Sequence, residues 1–259
     1  MITANLPFKT FKFPVGEMQV NLAHSATIYA DVYFQFEKNE DIIELLLFCD
    51  AAKRSGKILA NLHMDYVPFS RQDRTNATGE SFSLAVFANL INSLQFENVY
   101  IMDPHSDVTP ALIHNVRVKS QWDLLAPLIL SSTHGGFWLV SPDAGALKKT
   151  HKLAQLLNTP RLLGVIESSK IRNTATGEIT GTVVYMADHE IAAIDTYVIV
   201  DDICDGGRTF IELAKELRKH GAQRIHLYVT HGFFTKGMDV FDGIIDHVEA
   251  VNNQGRRFA

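Results

Sequence analysis

The 259-residue sequence predicts an α/β protein of two tandem domains, each a mainly parallel sheet flanked by helices. Three observations carry this. Short apolar runs rich in Val, Ile and aromatic residues alternate with segments of helical periodicity along most of the chain. The length suits two domains, at about 150 residues each. Alternating β and α elements bury parallel strands beneath helices on both faces.

In chain order, strands are predicted at 57–64, 98–102, 137–141, 161–166, 197–200 and 224–229. Helices are predicted where apolar residues return every three or four positions. Phe87, Leu90, Ile91 and Leu94 keep that spacing, as do Phe210, Leu213, Ala214 and Leu217. Gly221 follows the second set and reads as its C-cap. Ser131, Ser132, Gly135 and Gly136 mark a boundary, giving domains of 1–128 and 129–259.

Composition narrows the function classes. Apolar residues make up 46% and charged residues 20%, which excludes a disordered chain. Lys plus Arg is 24 and Asp plus Glu is 29, a net charge of 24 − 29 = −5. That argues against nucleic-acid binding, which needs a basic face. Cys49 and Cys204 lie far apart and form neither a zinc-ligand set nor a disulfide framework, as suits a reducing cytoplasm. The apolar run from Ile42 to Ala52 contains Glu44 and Asp50 and is too short to cross a bilayer. Residues 1–9 lack a basic-then-apolar leader. The expectation is a soluble cytoplasmic protein with no membrane association.

The sharpest chemistry lies in Tyr197-Val-Ile-Val-Asp201-Asp202-Ile-Cys-Asp205-Gly206-Gly207-Arg208-Thr209. An apolar strand runs into adjacent acids, then a glycine pair, then a helix starting near Thr209. Ligands of open α/β sheets sit at the carboxyl ends of strands. Loop amides and a helix N-terminus offer donors and positive potential to a phosphate. Asp201 and Asp202 repel phosphate and suit sugar hydroxyls, or a divalent cation through water. The bland alternative makes Asp205 a helix N-cap and the glycines a simple turn. Cys204 reads as a small buried residue with no nucleophilic role.

This stretch looks like the phosphoribosyl-pyrophosphate (PRPP) loop of type I phosphoribosyltransferase folds. Four further segments match ribose-phosphate diphosphokinases (PRPP synthetases) in the same order. They are Phe13-Pro14-Val15-Gly16-Glu17, Ser70-Arg71-Gln72-Asp73-Arg74, Asp103-Pro104-His105-Ser106 and Val140-Ser141-Pro142-Asp143-Ala144-Gly145. Asn39–Arg54 resembles the family's first long helix, and the likeness covers about residues 10–232. The resemblance implies two phosphoribosyltransferase-like domains. It also implies transfer of the β,γ-diphosphoryl group of ATP to the anomeric hydroxyl of a 5-phosphorylated ribose, giving PRPP and AMP.

The resemblance further implies a role for each matched residue. Phe13, Glu17, Arg71, Gln72, Asp73 and His105 would contact ATP. His105 and Asp143 would hold the Mg²⁺ of Mg-ATP, directly or through water. Asp201, Asp202, Asp205, Gly206, Gly207, Arg208 and Thr209 would take the ribose phosphate. The polar segment from Glu167 to Gly177 matches a mobile catalytic loop, in which Lys170 and Arg172 would close on the triphosphate. The Glu17 loop of the family reaches ATP on a neighbouring subunit, which implies a homo-oligomer, a dimer or hexamer.

Two departures stand out. The family loop reads Asp-Thr-Gly/Ala-Gly-Thr where this chain has Asp205-Gly206-Gly207-Arg208-Thr209. Loss of a hydroxyl at 206 and a cation at 208 would also suit an extended acceptor such as ADP-ribose. The product would then be ADP-ribose 1-pyrophosphate, a feed for NAD synthesis. Typical members also run longer, and a basic stretch of theirs is replaced here by Thr75-Asn76-Ala77-Thr78-Gly79. Both differences fall where the family builds its ADP and phosphate regulatory site. Two other readings are a phosphoribosyltransferase that consumes PRPP and a non-catalytic regulatory subunit. The ATP-type motifs at Arg71 and His105 argue against the first. Retention of Lys170, Arg172, His105 and Asp143 argues against the second.

Overall fold

A computed structural model describes residues 1–172, 179–185 and 195–253 and divides into two compact units, Met1–Ser120 and Gln121–Ala259. In chain order the first unit runs β1 (Ile2–Ala4), β2 (Phe8–Lys12), β3 (Met18–Leu22), β4 (Tyr29–Phe34), α1 (Asn39–Arg54), β5 (Ile58–Met64), α2 (Ser83–Leu94), β6 (Asn98–Met102), α3 (Val108–Leu112) and β7 (Val116–Lys119). Strands β4 to β7 are parallel and lie side by side in sequence order, with β1 antiparallel at the β4 edge. Strands β2 and β3 form a separate hairpin.

Sequential strand order has a consequence for coverage. Right-handed crossovers that all step the same way place every connecting helix on one face. Helices α1 and α2 share one core with Ala30, Val32, Leu62, Met64, Val99 and Ile101. The alternate residues Tyr29, Tyr33 and Tyr100 are exposed. Helix α1 starts where the Asp41 carboxylate accepts the backbone N–H of Glu37 and Lys38 at 2.8 and 2.9 Å. Lys53 and Arg54 complement the dipole in its last turn.

The second unit runs α4 (Gln121–Ser132), β8 (Phe137–Val140), α5 (Leu147–Leu157), β9 (Leu162–Arg172), β10 (Ile179–Tyr185), β11 (Thr196–Cys204), α6 (Arg208–Lys219), β12 (Arg224–Gly232), a 3₁₀ turn at Asp239–Phe241 and β13 (His247–Asn253). The sheet order is β10-β9-β8-β11-β12-β13, with only β10 antiparallel. Here β9 lies on one side of β8 and β11 on the other, so the crossovers step in opposite senses. Helices then cover both faces. Tyr197 and Ile199 pack against Phe210, Leu213 and Leu217 of α6. Val198 and Val200 pack against Leu125 and Ile129 of α4 and Leu153 of α5. Burial on both sides explains the unbroken apolar run of β11.

The predicted fold class stands, with three differences in detail. Helices cover both sheet faces in the second unit and one in the first. The division falls at Ser120/Gln121 and not at 128/129, because α4 belongs to the core of the second unit. Ser131 and Ser132, read as a boundary, end that helix, and both hydroxyls donate to the Leu128 carbonyl at 2.8 Å. Strands β9 and β11 also run further than expected, so Lys170, Asp201 and Asp202 lie on strands instead of loops.

Candidate active site

The strand order of the second unit reverses between β8 and β11, and the site is built at the carboxyl ends of those strands. Strand β11 delivers Asp201 and Asp202. The loop after β8 delivers Asp143, α5 delivers Lys149 and β9 delivers Lys170. Lys149 Nζ lies 4.0 Å from Asp202 Oδ2. Lys170 Nζ lies 2.6 Å from Asp143 Oδ2, a half-buried ion pair. The other oxygen of Asp143 accepts the backbone N–H of Gly145 at 2.9 Å and of Ala146 at 3.1 Å.

Electrostatics divide these acids. Burial pushes the Asp143 carboxyl up, but the Lys170 hydrogen bond and charge, with the two loop amides, bring it below the ordinary range. Asp201 goes the other way. Burial, then the adjacent Asp202 charge, raises it well above an ordinary carboxyl, with Asp143 adding to the rise. Of Asp143 and Asp201, Asp201 holds its proton to higher pH.

The loop into α6 depends on glycine at one position. Gly207 is the helix N-cap and has a left-handed φ of +78°. A Cβ there would lie 2.6 Å from Phe241 Cζ. Asp205 is not the cap, because its Oδ1 accepts the Thr235 hydroxyl at 2.8 Å and its carbonyl the Thr235 N–H at 3.0 Å. A Cβ at Gly206 would lie 3.1 Å from Lys236 Cγ, so the Lys236 side chain lies over the loop. Arg208 opens α6 and is exposed, while Thr209 is half-buried. Cys204 is fully buried; burial, then the charges of Asp201 and Asp205, push its thiol up to about 12. It has no thiolate to offer as a nucleophile.

The first unit carries the other matched motifs. Asp73 is buried and takes Arg74 through two contacts, 2.7 and 3.1 Å. That guanidinium holds Asp73 at about 2 against its burial, with His105 contributing. Arg71, Gln72 and His105 are exposed, His105 in the loop after β6. Phe13 and Glu17 close the β2–β3 turn, where Phe13 N–H donates to the Glu17 carbonyl at 2.8 Å. The Phe13 ring meets Phe11 edge-on at 5.2 Å.

Arg172 ends β9 as backbone, and its side chain lies outside the described residues, as do residues 173–178 of the expected catalytic loop. Lys170 pairs with Thr182 of β10 in register. Among the described residues no three His, Cys, Asp or Glu side chains gather into a metal cage. Asp143 offers one carboxylate, which fits an Mg²⁺ carried by a triphosphate, since such an ion keeps waters and needs few protein ligands. Lys149, Thr235 and Lys236 were not singled out from sequence. Their signal was position: Lys149 stands in the first turn of the helix after β8, and Thr235 and Lys236 in the loop after β12.

Fold and site together define a two-domain protein of the phosphoribosyltransferase type, with acids and a glycine loop at the sheet switch point. A family model for the phosphoribosyl transferase domain matches residues 133–242, and one for the N-terminal domain of ribose phosphate pyrophosphokinase matches residues 3–94. The chain is 29% identical to a ribose-phosphate pyrophosphokinase of Mycoplasmopsis pulmonis, over 83% of this chain and 65% of that protein. It is 29% identical to the ribose-phosphate pyrophosphokinase of Thermococcus kodakarensis, over 87% of this chain and 78% of that one. The crystal structure of phosphoribosylpyrophosphate synthetase from Mycobacterium smegmatis shares the fold, with a TM-score of 0.79 at 20% identity over 98% of this chain and 84% of that one. The chain belongs to the ribose-phosphate pyrophosphokinase family. No helix among the described residues is long and apolar enough to cross a membrane.

Proposed function

We propose that this chain transfers the β,γ-diphosphoryl group of Mg-ATP to the anomeric hydroxyl of a 5-phosphorylated ribose, releasing AMP. The observation that carries the reading is the convergence of Asp201, Asp202, the Gly207-capped helix and the Lys170–Asp143 pair at the β8/β11 switch point. The amides of residues 206–209 and the α6 N-terminus bind the 5-phosphate. Asp202, held by Lys149, accepts sugar hydroxyls, with Asp201 beside it at the same strand end. Lys170 neutralises charge on the transferring group, and Arg172 acts with it. Phe13, Glu17, Arg71, Gln72, Asp73 and His105 serve ATP. His105 and Asp143 hold its Mg²⁺, which supplies charge neutralisation on the phosphates when bound. Function in the cytoplasm and in an assembly of like chains completes the reading.

One observation favours a longer acceptor. Arg208 and Lys236 bring two cations to the loop that takes the 5-phosphate. A 5′-diphosphate, as in ADP-ribose, would engage both and yield ADP-ribose 1-pyrophosphate. Incubation of the enzyme with Mg-ATP and either ribose 5-phosphate or ADP-ribose, followed by quantification of AMP and the pyrophosphorylated sugar, tests both readings. AMP formation with neither acceptor would refute the transferase assignment itself.

A further inference from the structure

We propose that Thr235 is a positioning residue that holds the Asp205 carboxylate off the N-terminus of α6, leaving the loop amides to phosphate. The inference deepens the proposed function and rests on its reading of this loop as the 5-phosphate site. A carboxylate just before a helix is drawn to the first amides, by hydrogen bonding and by the positive end of the dipole. The same chain shows this before α5. There Asp143 Oδ1 accepts the N–H groups of residues i+2 and i+3, Gly145 at 2.9 Å and Ala146 at 3.1 Å. Asp205 stands in a matching place before α6, with Gly207 at i+2 and Arg208 at i+3. A carboxylate on those amides would occupy the anion site and repel its ligand.

The structure turns Asp205 elsewhere. Its Oδ1 accepts the Thr235 hydroxyl at 2.8 Å, and its carbonyl accepts the Thr235 N–H at 3.0 Å. The Gly207 N–H meets the Cys204 sulfur, a weak acceptor. Thr235 and Asp205 are both exposed, so their bond depends on the backbone that aims the hydroxyl. That backbone is fixed. The Phe233 N–H donates to the Cys204 carbonyl at 2.8 Å, and Phe234 has a left-handed φ of +45°. A phenylalanine keeps that conformation only where its surroundings impose it. Here the Phe234 ring is buried and meets Phe241 edge-on at 6.1 Å. It lies over Gly232, where a Cβ would come within 2.7 Å of its Cζ. Phe241 is also the ring that packs on Gly207. One packed unit therefore sets both the hydroxyl and the loop it serves.

Titration of ribose 5-phosphate and of ADP-ribose into the full chain without ATP reads the site apart from turnover. Thr235→Val should raise the acceptor Kd about tenfold or more, the scale of one helix cap bond, at an unchanged or higher Tm. Thr235→Ser keeps the hydroxyl and should stay within about threefold of the unaltered chain. On an Asp205→Ala background, with no carboxylate to release, Thr235→Val should change Kd by less than about threefold. With Mg-ATP added, the loss should fall on the acceptor KM and leave kcat within about threefold. A merely loosened loop would lower Tm and weaken binding on both backgrounds, and that result overturns the proposal. So does an unchanged Kd in Thr235→Val. If the unaltered chain binds neither acceptor, the phosphate reading of the loop fails and the role of Thr235 falls with it. Acceptor binding without AMP formation refutes the transfer reaction alone, and the Kd series still decides the role of Thr235.

Discussion

Lys170 on β9 and Asp143 after β8 form a 2.6 Å ion pair that ties two neighbouring strand ends of the sheet together. The pair joins the cation assigned to the transferring phosphoryl group with a carboxylate assigned to the metal side. On the proposed reaction, Lys170 would exchange the Asp143 carboxylate for the phosphoryl oxygens during turnover.

Lys170→Ala should lower kcat by about a hundredfold or more, the scale of a lost transition-state donor. It should also leave Asp143 half-buried without its cation. Asp143 is held below its ordinary value, so the pair stabilises the fold above the unfolded pKa and loses that contribution as pH falls through the folded one. The stability gap between the two proteins should be widest near neutrality and close in acid. Turnover near that of the unaltered enzyme would remove Lys170 from the mechanism.

Asp201 has the opposite sign. Its folded pKa is raised, so the native state holds the proton more tightly than the unfolded chain, and stability falls as pH rises from the unfolded value through the folded one. Asp201→Asn keeps the shape and removes that titration. The variant should gain Tm relative to the unaltered chain at neutral pH and lose the advantage near pH 4. Parallel Tm curves across that range would show that Asp201 ionises freely.

The two loop glycines should differ. Gly207→Ala sets a Cβ against the Phe241 ring in a left-handed backbone and should cost about 2–4 kcal/mol in urea unfolding. Gly206→Ala meets only the flexible Lys236 chain, so its cost should stay below about 1 kcal/mol. Equal costs would mean that the Phe241 contact gives way freely.

What the sequence revealed followed burial. Strand β11 is apolar on both faces and bounded by acids, and α6 repeats Phe210, Leu213, Ala214 and Leu217, so both were legible. Strands β2 and β7 are short, at five and four residues, and expose most of them, so neither carries an apolar run and they were not legible. The hairpin turn at Phe13 and the loop at Gly207 were found by motif. Lys149, Thr235 and Lys236 were missed because a lone residue in a helix or loop has no pattern, and only the fold brings it to the site. The uncovered face of the first sheet was also invisible, since it follows from strand order and not from local periodicity.

Metal dependence gives a fourth expectation. Chelation of Mg²⁺ should abolish product formation, and His105→Ala should raise the Mg²⁺ concentration needed for half-maximal rate. His105 is exposed and acts on Asp73, so the variant should keep its fold. An unchanged metal titration would return His105 to a positioning role beside Asp73.

The acceptor loop offers the most specific test. Gly206→Thr with Arg208→Gly adds a hydroxyl donor and removes one cation. It also presses on the Lys236 side chain, whose Cγ lies 3.1 Å from the new Cβ. If the native acceptor carries a 5′-diphosphate, the double change should lower its kcat/KM and improve ribose 5-phosphate. A shift of about ten- to a hundredfold corresponds to one or two hydrogen bonds to a charged phosphate, at about 1.5–3 kcal/mol each. Lys236→Ala alone should reproduce part of the loss for the diphosphate and leave ribose 5-phosphate unchanged. If the unaltered enzyme already prefers ribose 5-phosphate, and neither variant moves that preference, the two cations do not select the acceptor and the simpler PRPP reaction stands.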